Sequence, residues 1–136
     1  MLGKFGMAAL FVMATAAPAL AAQCNDPIPP AAIDGTKATE AQLGAASHDA
    51  NVFIKASDDY QECLNADLAR QKMAAAAAKD PKSLDPSIVE GVDAKIAANQ
   101  QMKERVGGEF HGALVAYCSR SDANPADCAS VRKPAH

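Results

Sequence analysis

A chain of 136 residues has room for one domain, and 32 of its residues are alanine, so the 49% apolar content overstates the core it can build. From Gln23 onward only 22 larger apolar side chains (Val, Ile, Leu, Met, Phe, Tyr) remain, and there is no Trp. That suits a slim helical assembly and argues against a Rossmann domain, a β-sandwich or an enzyme with a deep pocket. The formal net charge is −3 with the two signs interspersed, which leaves no basic footprint for nucleic acid and no polybasic patch for a membrane.

The first segment reads as an address. Met1 to Lys4 is weakly basic, Phe5 to Ala17 is apolar, and Ala19-Leu20-Ala21-Ala22 has the small-x-small form of a cleavage site. The apolar run is shorter than the roughly 20 residues a membrane span needs, so residues 1–22 are expected to be a cleaved signal peptide. Gln23, where a small residue would be wanted, argues against a lipid anchor on Cys24. The mature chain is expected to be periplasmic or secreted, with no membrane association after cleavage.

Residues 23–38 form an expected extended arm, because Pro27, Pro29 and Pro30 forbid a helix and favour a polyproline path. A first helix is expected over 39–79. Thr39 and Gln42 have capping-box spacing, and Leu43, Ala46, Ala50, Phe53, Ser57, Tyr60 and Leu64 alternate by three and four. The alanine run from Ala74 to Ala78 has high helix propensity. Residues 80–86, with Pro81 and Pro86, break the pattern. A second helix is expected over 87–119, opened by a Ser87/Glu90 capping box, with Pro86 in its first turn. Its seam runs through 92, 96, 99, 102 or 103, 106, 110, 113 and 117, and Asn99 is the polar exception. Residues 120–136 form a tail.

The expected fold is therefore all-α: a long antiparallel two-helix hairpin, coiled-coil-like, with a Pro-rich N-terminal arm and a disulfide-closed C-terminal tail. A turn centred near residue 83 makes opposed residues sum to about 167. That register sets Phe110 level with Ser57 and Tyr117 level with Ala50. Gly107 and Gly108 then fall level with Tyr60 and Asp59; the expectation is that they make room for the Tyr60 ring, the alternative being a local kink in the second helix.

Four cysteines in an exported chain argue for two disulfides. In the hairpin Cys118 lies roughly 20 Å along the axis from Cys63, too far to bridge. The arm reaches roughly 45 Å when extended and can fold back along the first helix, which favours Cys24–Cys63. Asn124-Pro125 can turn the chain between Cys118 and Cys128. No C-x-x-C or C-x-x-C-H is present for redox, zinc or haem chemistry.

The cysteine and proline-rich arm closing at Asp34-Gly35, then Tyr60-Gln61-Glu62-Cys63-Leu64 far along a helix, with Val106, Phe110 and Tyr117 in the second, resembles a group of short exported proteobacterial proteins of uncharacterised function. The resemblance covers about residues 24 to 118. It implies the hairpin shape and carries no catalytic or binding residue; Cys118 and Cys128 lie outside its pattern.

Other candidate sites read as ordinary surface or core. His48 and His111 fall roughly 12 Å apart along the axis in this register. Met73 and Met102 have core positions far more often than ligand roles. Asp58, Asp59 and Glu62 form a charged face, with Lys55 one turn before Asp59 and Arg105 level with Glu62. There is no nucleophile or phosphate-binding motif, so no catalytic residue, metal or cofactor is expected.

The expected function is a non-enzymatic structural or protein-interaction hairpin whose partner is another protein or a second copy. Val52, Ile54, Leu68, Leu114 and Val115 beside the seam are the expected interaction surface. The alternatives are a periplasmic metal-, haem- or small-molecule-binding bundle and a holdase-like chaperone.

Overall fold

The computed structural model describes residues 24–78 and 84–132. The expected signal peptide 1–22, residue 79 of the expected first helix and residues 80–83 of the expected turn lie outside the described residues. Among the described residues all regular structure is helical: α1 (Glu40–Ala77), α2 (Pro86–Cys118) and a short α3 (Ala129–Arg132) in the tail. α1 and α2 pack along each other, and α3 returns to α2.

The start of α1 is fixed by reciprocal bonds. The Thr39 hydroxyl accepts from the Gln42 backbone N–H at 3.2 Å, and the Gln42 side chain accepts from the Thr39 N–H at 2.9 Å. α2 starts one residue earlier than expected and by a different device. Asp85 caps it, accepting from the Ser87 N–H at 2.9 Å with Pro86 in the first position, so the expected Ser87/Glu90 box is replaced. A carboxylate at this point also suits the positive end of the helix dipole.

The buried stripe of α1 is Leu43, Ala50, Phe53, Ser57, Tyr60, Leu64 and Leu68. Its last step is four residues where a strict heptad would place Asp67, because a straight helix of 3.6 residues per turn drifts against a 3.5 repeat. α2 buries Asn99, Val106, Ala113 and Tyr117.

The register differs from the expected one by a full heptad. Leu43 meets Tyr117; Ala50 and Phe53 meet Val106, with Phe110 against them; Gln61 meets Asn99; and Asp58 pairs with Lys103. Opposed residues thus sum to about 160. A seven-residue slip offers the same apolar stripe to the partner, so periodicity alone cannot choose. Polar groups discriminate where periodicity cannot. Asn99 donates to Ser57 Oγ at 3.3 Å and accepts from Gln61 Nε2 at 2.8 Å, and each of these bonds is lost in any other register. Phe110 therefore lies level with Ala50 rather than Ser57.

Gly107 and Gly108 do not make room for Tyr60. A Cβ built on either meets nothing within 4 Å, and α2 runs unbroken through both.

The arm supplies a third layer. Cys24 is bonded to Cys63, Asp26 lies near enough to Tyr60 to act on its hydroxyl, and Asp34 and Gln42 line one cleft at the other end. The arm runs back along α1 from Cys63, and Pro30 and Ile33 share one small gap with Ala46 and Ala50. It ends in a turn at 35–37 stabilised by Asp34, which accepts from the Thr36 N–H at 3.0 Å and from its hydroxyl at 2.7 Å. Gly35 then presses on α2: a Cβ there would stand 1.8 Å from the Ala113 carbonyl oxygen. Only glycine fits this approach.

Candidate functional site

Both expected disulfides are present, Cys24–Cys63 and Cys118–Cys128. They act at opposite ends of one arrangement. The first holds the arm to the middle of α1; the second folds the tail back so that Cys128, fully buried, joins Leu43 and Tyr117, with Ile33, Leu114 and Ala123 packed around them. Arg120 completes the closure. Its guanidinium lies 5.2 Å from the Tyr117 ring centroid, donates to the Ala38 carbonyl at 2.6 Å and pairs with Asp122 at 2.5 Å. Asn124 bridges the same end, donating to Glu40 at 3.4 Å.

The two flanks of the helix pair are covered unequally. On one flank the arm lies against Ala46, Ala50, Val106 and Phe110 with about 20 Å³ of free space beneath it, and an open cleft of about 530 Å³ continues between the arm's end and Gln42, Ala45 and Asp49 of α1. The opposite flank is an open groove of about 740 Å³. Leu43, Phe110 and Leu114 line its apolar side, Gly44 and Ser47 lie along α1, and Glu40, Asp127 and Ser130 stand at the closed end. The Oδ2 atom of Asp127 is buried without a hydrogen-bond partner. A Cβ at Gly44 meets nothing within 4 Å, so a side chain there would enter open space.

The five residues expected to form one interaction surface are dispersed. Leu68 is buried in the seam, 6% exposed. Leu114 lines the groove and packs on the Tyr117 cluster. Half-buried Ile54 lies seven residues on from Ser47, on the same flank of α1. Val52, 53% exposed, shares a helix face with Cys63 three turns on and so belongs to the arm flank. Val115 is 39% exposed on α2, two residues from buried Ala113 and Tyr117 and turned away from the seam.

The charged and sulfur-bearing candidates find ordinary partners. Lys55 pairs with Asp59 at 2.9 Å, and the paired carboxylate raises the lysine pKa above its usual value. Asp58 bridges to Lys103. Arg105 pairs with Glu109 at 2.9 Å and donates to Met102 Sδ, not to Glu62 as expected. Met102 packs on the Phe53 cluster, while Met73 is 66% exposed. The heptad shift brings His48 and His111 level along the axis, contrary to the expected separation; both are exposed. Among the described residues no group of three or more His, Cys, Asp or Glu is placed to hold a metal. No helix of the described residues is long and apolar enough to cross a membrane.

Sequence periodicity missed the groove because its edges are small residues, Gly44 and Ser47, which carry no hydrophobic signal. It missed Asp127 because the tail has no repeating pattern. No family model, curated protein or solved structure matches the chain.

Proposed function

We propose that the chain is an exported, non-enzymatic structural or protein-interaction hairpin, released by signal cleavage into the periplasm or beyond. The groove on the flank that the arm leaves uncovered carries this reading, with Leu43, Phe110 and Leu114 in its wall. Two disulfides support an oxidising compartment. Cys118–Cys128 also holds the tail beside the groove before any partner arrives, which lowers the ordering cost of binding.

The test is association of the mature protein, measured by sedimentation with and without candidate partners. Gly44→Arg fills the groove from a position whose side chain enters open space, and Leu114→Glu changes its wall. Both should abolish association. Unchanged association in folded Gly44→Arg contradicts a role for this flank.

A second reading is a small-molecule carrier. The groove's volume lies within the roughly 300–1,000 Å³ of ligand sites, and the unpartnered Asp127 Oδ2 in its wall offers one polar anchor. Native mass spectrometry of protein purified from its own compartment separates the two: retained ligand mass favours the carrier, a ligand-free chain the interaction module.

A further inference from the structure

At the closed end of the groove the protein leaves one hydrogen bond unmade. Among the described residues, Asp127 Oδ2 is the only buried side-chain oxygen or nitrogen without a partner. Buried polar atoms are nearly always satisfied, so an orphan acceptor in the wall of a cavity asks what donor belongs there. The neighbouring donors are already committed. Arg120 gives its guanidinium to Asp122 and to the Ala38 carbonyl, and the Asn124 side chain donates to Glu40. Glu40 is exposed and stands at the same end of the groove. The described lining thus holds two carboxylates and no lysine, arginine or histidine, while Leu43, Phe110 and Leu114 supply its apolar side.

We propose that this groove binds a small organic cation, with an ammonium or guanidinium head at Asp127 and Glu40 and an aliphatic body along Leu43 and Leu114. Three features select this ligand class. An ionised carboxylate accepts and cannot donate, so the orphan oxygen calls for a donor head and rejects a carboxylate or phosphate. Two like charges at one end attract a cation and repel an anion, and an apolar wall strengthens both effects. The cavity of about 740 Å³ lies within the roughly 300–1,000 Å³ that encloses whole small molecules. Cys118–Cys128 fixes the tail, so Asp127 is in place before the ligand arrives.

This inference rests on the carrier reading of the groove and names its ligand. It is tested on the mature, disulfide-bonded chain with three probes of equal chain length: hexylammonium, hexanol and hexanoate. Binding is followed by titration of the Leu43 and Leu114 methyl signals in NMR spectra. The expected order is hexylammonium first, by on the order of tenfold over hexanol, with hexanoate last. Asp127→Asn keeps the side chain's shape and should erase the preference for the ammonium while leaving hexanol binding unchanged. Glu40→Gln, at an exposed position, should lower that preference as well. Equal binding of the three probes, tighter binding of hexanoate, or an unchanged preference in either folded variant would overturn the inference and leave the carrier reading standing. No shift at Leu43 and Leu114 with any probe would remove both.

Discussion

The two ends of the hairpin are built to different standards. At the end holding the chain termini, residues 40–60 and 99–118, two apolar clusters join through Phe110, the arm and tail add further layers, and Cys118–Cys128 closes the tail onto the helices, while Cys24–Cys63 pins the arm just beyond this stretch. Toward the turn, α1 buries nothing beyond Leu68 and α2 nothing before Asn99. There Ile88, Val89, Val92 and Ile96 are only half-buried, level in this register with residues 64–72 of α1, where Leu64 and Leu68 are the only large apolar side chains. A helix pair alone cannot bury both flanks of its stripe, so stability concentrates where a third segment covers one of them. The surfaces available for recognition belong to that same end.

The largest way to break the contrast is to cut the arm loose. Replacing Cys24 and Cys63 by alanine opens a loop of sequence separation 39 and should cost about 4 kcal/mol in urea denaturation; the Cys118–Cys128 loop, separation 10, should cost about 3 kcal/mol. Gly35→Ala comes next. Its methyl group would collide with the Ala113 carbonyl, so the arm must lift, and a loss of about 1–3 kcal/mol is expected. Asn99→Ala strands Ser57 and Gln61 and should cost about 1–2 kcal/mol, with loosened register visible as exchange broadening in amide spectra.

Much of the fold could be read in advance, for identifiable reasons. Cysteine pairing followed from reach, since a proline-rich arm has one stretched length and α1 another. The Thr39 cap followed from a two-residue motif. Register did not, because heptad stripes are degenerate to a slip of seven; Asn99 was visible as an exception, but its partners Ser57 and Gln61 were not. Gly35 was legible as a turn, whereas its contact with Ala113 depends on two distant segments meeting. How the expected interaction residues are distributed was the least legible. Adjacency to a seam does not say which flank a side chain faces or what else covers it.

Smaller effects sharpen the comparison. Gly107→Ala with Gly108→Ala should raise the melting temperature, gaining roughly 1 kcal/mol each, because both added methyl groups enter open space. Acidification should weaken the caps and turns. Asp34, held by the Thr36 hydroxyl and N–H, Asp85, held by the Ser87 N–H, and Asp122, held by Arg120, all titrate below the ordinary 3.8. Their contribution is complete above that value and is lost as pH falls below it toward the folded-state values. A melting temperature flat from neutral pH to pH 4 and declining below is the expected profile.

Native-state amide hydrogen exchange tests the contrast between the two ends most directly. Amides of residues 43–60 and 99–117 should exchange only through global unfolding, while those of 69–77 and 87–95 open locally and exchange much faster. Uniform protection along both helices, or stronger protection toward the turn, would contradict the account.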